Sequence, residues 1–193
     1  MQSWPSKARP LAIGVAAVAG VAYPFAVYFY RDRLPAVVFV AVALLLLGIQ
    51  LTALRSPMAK LWRVPLLISA ILTIVIALLD QNVAKEAYPV VRSLAVSAIF
   101  CWTLISPPSL VERFARLRRP YLPASAIRYC RNVTIIWAVW LAINAAVAMT
   151  LVVKGDLRSW TIWTGGVSYA ISGLIFAGEF GFRFLFLESP KRQ

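Results

Sequence analysis

Six mostly apolar windows without a single charge fill this chain: Pro10–Tyr30, Leu34–Leu54, Val64–Leu79, Ser93–Val111, Asn132–Val153 and Ser159–Gly178. A bilayer core about 30 Å thick is crossed by about 20 apolar residues in helical form. Five windows reach that length; Val64–Leu79 is short and needs Arg63 to extend its stem to the interface. The pattern predicts an all-α membrane protein, a bundle of six transmembrane helices in one integral domain covering 1–193. With their flanks the spans run over 10–30, 34–54, 64–84, 88–106, 132–153 and 159–182, and a basic connection occupies 107–131.

Of the residues, 61% are hydrophobic and 14% charged, against about 25% charged in soluble domains. The net charge of +13 invites a nucleic-acid reading, but the basic residues stand between the windows, as the positive-inside rule requires, and form no soluble patch. With the N-terminus inside, only Arg31, Arg33, Lys85, Arg92, Lys154 and Arg158 fall outside, and the other 14 of the 20 lysines and arginines fall inside. Both termini are therefore expected to be cytoplasmic. Lys7 and Arg9 followed by Ala17-Val18-Ala19 resemble a cleaved leader, but the apolar run continues to Tyr30, so an uncleaved first helix is expected. Cys101 lies in a span and Cys130 in the inner connection, so no disulfide is expected.

Pro10, Pro35, Pro65 and Pro89 each stand at the start of an apolar run, where a missing N–H costs nothing. Pro24 lies inside the first window and predicts a kink. The links 31–34 and 154–157 are short enough to force antiparallel neighbours. Tyr-Pro occurs at 23–24 and at 88–89, too little for an internal repeat. In the connection 107–131, Pro107-Pro108 stops the fourth helix, and Ser109 with Glu112 has capping-box spacing. Leu110, Phe114 and Leu117 share one face of the helix that follows, predicting a short amphipathic helix in the cytoplasmic interface. A second basic turn, Ala126 to Arg131, leads into the fifth span. Arg113, Arg116, Arg119, Arg128 and Arg131 make this region a candidate platform for anionic lipid headgroups or an acidic protein; the alternative is an ordinary positive-inside loop.

Reactive chemistry is sparse. The chain has no histidine, no Cys-x-x-Cys, no acidic pair of metal-ligand type and no phosphate-binding glycine loop, so no catalytic residue, metal or cofactor is indicated. In the sixth span Gly166, Ala170, Gly173, Ala177 and Gly181 form a stripe of small residues suited to close helix approach, with Ser168, Ser172, Glu179 and Arg183 nearly opposite. Glu179 and Arg183 read either as an ion pair anchoring the helix end or as a proton or cation site. Asn144, mid-way along the fifth span with Trp137 and Trp140 on its face, needs a partner in lipid. Its distance from the outer turn matches that of Ser168, which predicts that those two meet. Trp4, Trp62, Trp102, Trp160 and Trp163 read as interfacial anchors.

The string Glu112-Arg113-Phe114-Ala115-Arg116-Leu117, then Leu122-Pro123 and Arg128-Tyr129-Cys130-Arg131-Asn132-Val133-Thr134, resembles a family of uncharacterised bacterial inner-membrane proteins, as do Gly178-Glu179-Phe180 and Arg183. Members are often encoded beside acyl carrier proteins, ketosynthases and acyl ligases of aryl-polyene or xanthomonadin-type clusters. The resemblance implies a place in lipid-like product synthesis at the bacterial inner membrane and carries over no catalytic residue. The expected function is a non-enzymatic scaffold that holds a cytoplasmic assembly, acyl carrier protein included, on the basic 109–131 surface. The alternative is a small transporter or export component for a hydrophobic product, with Asn144, Ser168, Ser172 and Glu179 as its polar path; a membrane acyl-transfer enzyme is a weaker third. A scaffold concentrates polarity in the loop and a transporter in the spans.

Overall fold

The computed structural model describes residues 8–53 and 59–182, which are helices joined by short links, with no strand among them. The helices are α1 (Ala8–Tyr30), α2 (Ala36–Ala53), α3 (Ala59–Leu79), α4 (Gln81–Ile105), α5 (Leu110–Arg118), α6 (Ala124–Lys154), α7 (Leu157–Ile162) and α8 (Ser168–Phe182). A π turn, Trp163–Val167, joins the last two, with the Ser168 N–H bonded to the Trp163 carbonyl five residues back. Among the described residues, three stretches are long and apolar enough to cross a membrane: Leu61–Leu79, Gln81–Ile105 and Ala124–Lys154. Gly14–Tyr30 and Ala36–Thr52 are shorter apolar helices.

The links follow from local chemistry. A single residue, Asp80, separates α3 from α4. Its extended backbone ends one helix, and its carboxylate accepts from the N–H groups of Asn82 (2.7 Å) and Val83 (3.3 Å) to start the next. Between α6 and α7, Gly155 takes the left-handed φ of 68° that closes a Schellman motif, with Gly155 N–H on Val152 O (3.0 Å) and Asp156 N–H on Leu151 O (3.1 Å). Asp156 then caps α7 through the Ser159 N–H at 3.0 Å, and that bond holds its carboxyl below the usual aspartate range.

α4 is the central helix and packs on α6, α3 and α2, with α5 folded across its end. The α4–α6 contact is the most extensive, because Ala138, Ala145 and Ala148 of α6 are small and fully buried against it. Tyr23, Val27, Phe39, Leu47, Tyr88, Leu157 and Trp160 form the largest core cluster, and Ile99, Phe100, Leu110 and Ala138 form a second beneath α5.

Several boundaries differ from the sequence expectation. α3 begins at Ala59 and so carries Lys60 and Arg63; α4 begins at Gln81 and carries Lys85, Glu86 and Arg92; α6 begins at Ala124 and absorbs Arg128 and Arg131. Pro65 and Pro89 therefore lie inside helices and do not open them. Pro89 cannot bond to the Lys85 carbonyl four residues back, and the Tyr23 hydroxyl takes that carbonyl at 2.8 Å. The two Tyr-Pro pairs thus meet, with the Tyr23 and Tyr88 rings edge to face at 5.1 Å.

Candidate functional site

The polar residues of the interior gather around α4. On its face toward α1 and α2 stand Lys85, Tyr88 and Arg92, spaced i, i+3 and i+7. Lys85 is buried to 7% exposure; its ammonium donates to Asn82 Oδ1 at 3.2 Å and lies 6.0 Å from the centre of the Phe39 ring. Arg92 lies twelve residues beyond Asp80, about 18 Å along the helix from the tight turn. Its guanidinium donates through Nη2 to Gln50 Oε1 of α2 (2.8 Å) and through Nη1 to the Tyr88 hydroxyl (3.3 Å). Both partners are neutral, and no carboxylate pairs with Arg92 among the described residues. Gly20 of α1 flanks it, since a Cβ there would stand 3.9 Å from Arg92 Nη1. Tyr169 of α8 is within electrostatic reach of Arg92 and Tyr88.

On the face of α4 toward α6 lies a second set at the same depth. Asn144 Nδ2 donates to Ser93 Oγ at 3.0 Å, and Trp163 Nε1 donates to Asn144 Oδ1 at 2.9 Å. Trp140 Nε1 reaches Ser172 Oγ at 2.9 Å, and the two indoles lie 6.3 Å apart. Ser97 Oγ donates to the Ala138 carbonyl at 2.8 Å. Four helical elements thus share a layer of hydrogen-bonded side chains in which every amide and indole atom just described has a partner.

The predicted meeting of Asn144 and Ser168 does not occur. Asn144 bonds to Ser93 and Trp163, while the Ser168 hydroxyl returns to the Thr164 carbonyl of its own helix at 3.3 Å. The π turn is the physical reason: an extra residue in the turn rotates everything after Trp163 by about 100° relative to a regular helix. The same rotation leaves the small-residue stripe without a neighbour. Gly166, Ala170, Gly173 and Ala177 are exposed, and a Cβ on Gly166, Gly173 or Gly181 would meet nothing within 4 Å. Close approach occurs at Gly165 instead, where a Cβ would fall 2.5 Å from the Phe25 ring of α1. Ser172 does face a neighbour, through Trp140. The Glu179 carbonyl accepts from the Tyr129 hydroxyl at 3.3 Å, and Arg183 lies outside the described residues. Trp160 is fully buried and Trp163 bonds Asn144, so neither is an interfacial anchor; Trp102 is exposed, and Trp4 lies outside the described residues.

The basic region divides in two. Arg113 donates to the carbonyls of Pro108 (2.7 Å) and Ser106 (3.0 Å), and Arg131 to that of Leu104 (3.1 Å), so both close the end of α4. Arg116 pairs with buried Glu112 at 2.7 Å. Glu112 is thereby spent, and the capping box does not form: the amides of Leu110 and Val111 take the hydroxyls of Thr103 (3.1 Å) and Thr134 (3.3 Å), and Ser109 makes no side-chain cap bond. Leu110 is fully buried, Phe114 packs toward Trp62 at 6.2 Å, and Leu117 is exposed. Arg118, Arg119 and Arg128 are exposed, with no hydrogen bond or ion pair among the described residues.

Sequence reasoning missed Lys85 and Arg92 because it took charge as the mark of a span boundary, and with them their neutral partners Gln50 and Tyr88. The signal that finds them is the helical spacing of Lys85, Tyr88 and Arg92 ahead of an unbroken apolar run. Comparison with family models, with curated proteins and with solved structures gives no match.

Proposed function

We propose that the protein is a multi-pass component of the bacterial inner membrane that binds a hydrophobic product within its helices and moves it across or out of the bilayer. In this reading six helical passes, the last formed by α7, the π turn and α8, leave both termini in the cytoplasm. The observation that carries it is the polar layer at mid-depth: Gln50, Arg92 and Tyr88 on one face of α4, and Ser93, Asn144 and Trp163 on another. Ionisable and hydrogen-bonding side chains at bilayer depth are costly and mark substrate pathways. The π turn at Trp163 adds support, since such turns cluster at functional sites.

The test separates inner- and outer-membrane lipids from cells that carry the wild-type chain or the Ser93→Ala/Asn144→Leu variant. The apolar product is expected to accumulate in the inner membrane of the variant at unchanged protein level. An unchanged distribution overturns the reading.

A second reading is the scaffold for an acyl-carrier-dependent, aryl-polyene-type assembly that the resemblance implies. It is favoured by Arg118, Arg119 and Arg128, three exposed arginines with no ion pair among the described residues, a basic surface complementary to an acidic carrier or to anionic lipid. Capture of a carrier protein that is lost when those three become glutamine supports it.

A further inference from the structure

We propose that Arg92 is the headgroup site for an anionic amphiphile, a long apolar chain ending in a carboxylate, that enters sideways between α1 and α8. The proposal rests on the transport reading and names the substrate class it left open.

The first ground is charge. Arg92 lies about 18 Å from the tight turn and carries a permanent positive charge. Gln50 and Tyr88 hold it in place but cannot neutralise it. Among the described residues two of the five N–H groups of this guanidinium are used, and the remainder of the fork is left to donate. Such a fork matches a carboxylate with two parallel bonds.

The second ground is the character of the neighbours. The Tyr88 oxygen accepts from Arg92, so its own O–H is left to donate. The Tyr169 hydroxyl, within electrostatic reach, makes no hydrogen bond among the described residues. The groups that gather here are therefore donors around a cation, which selects an oxyanion.

The third ground is access. α1 and α8 come together at the π turn, where Phe25 packs on Gly165, and do not pack extensively along their remaining lengths. Beyond that crossing α8 is tied to α6 by long side chains, Trp140 to Ser172 and Tyr129 to the Glu179 carbonyl. Gly20 beside Arg92 has no side chain to block the way, and exposed Val18, Tyr169 and Ala170 give the approach an apolar wall. A water-borne anion finds no favourable path through such a wall, whereas a chain dissolved in lipid does.

The experiment measures binding of radiolabelled oleate to the full chain in a non-ionic detergent, with oleyl alcohol, oleyl phosphate and acetate as competitors. Oleate is expected to bind saturably, acetate and oleyl alcohol not to compete, and Arg92→Gln to weaken binding at least tenfold. Arg92→Lys, which keeps the charge and loses the fork, is expected to fall between. Gln50→Leu leaves the cation in place but unpositioned, and is expected to weaken binding severalfold while the chain still folds; it keeps the test informative if Arg92→Gln does not fold. Stronger competition by oleyl phosphate than by unlabelled oleate reassigns the site to a phosphate headgroup and overturns the carboxylate assignment. Equal competition by oleyl alcohol, with binding that survives Arg92→Gln but fails in Asn144→Leu, overturns the anionic site and leaves the transport reading standing. No saturable binding of any long-chain probe overturns both.

Discussion

At the scale of single residues, Pro89 shows how a broken helical bond is made good from another helix. Pro89 strips the Lys85 carbonyl of its helical partner, and Tyr23 supplies one from another helix at 2.8 Å. Tyr23→Phe should then cost about 1–3 kcal/mol, the usual penalty for an orphaned buried polar group. Pro89→Ala restores a backbone N–H at the same carbonyl, so Tyr23→Phe in that background should cost well under half as much. A double-mutant cycle by thermal unfolding in detergent checks the coupling; equal costs in both backgrounds would show that the hydroxyl has no such role. That Asn144 needed a partner was legible in the sequence, because an amide in lipid cannot stay unpaired. Its identity was not. Spacing from the turn gives depth, but the direction a side chain faces depends on the helix remaining regular, and the π turn at Trp163 breaks that condition.

At the scale of elements, the apolar windows found every long helix but cut three of them short. A charge was read as an edge, whereas α4 carries Lys85, Glu86 and Arg92: Asn82 and Phe39 receive the Lys85 ammonium, Gln50 the Arg92 guanidinium, and Tyr23 the Lys85 backbone carbonyl. Those partners lie up to 62 residues away, and no local pattern announces them. The α5 helix was legible from Leu110, Phe114 and Leu117, while the work of its arginines was not. Arg113 holds two carbonyls at the end of α4, so Arg113→Gln should lower stability by about 1.5–3 kcal/mol, the range for bonds to a charged group. Replacing Arg118, Arg119 and Arg128 together should shift it by less than about 0.5 kcal/mol per site, as exposed changes do. Melting of the two variants side by side distinguishes the roles; a larger loss in the triple variant would reverse them.

At the scale of the whole molecule, orientation rests on the placement of basic residues along the chain. A reporter active only outside the cytoplasm should give signal when fused after Asp156 and none after Arg119; the reverse would invert the molecule. The same frame fixes how far the ends of α6 stand apart. Its 31 residues are about 46 Å long, more than the hydrocarbon core is thick, so a turn or more of basic helix projects beyond it unless the helix tilts. The Asp80 joint has a different consequence, for the order in which the chain is made. α4, with three charged side chains, is a poor candidate to enter lipid alone, and each lysine or arginine near its centre costs about 2.5–3.5 kcal/mol at insertion. α3 is the more apolar, and one residue of link lets neither helix settle without the other. The two must leave the translocation machinery as one inserted pair. A longer linker at Asp80 is therefore expected to spare the finished packing yet strand α4 on the membrane surface during synthesis.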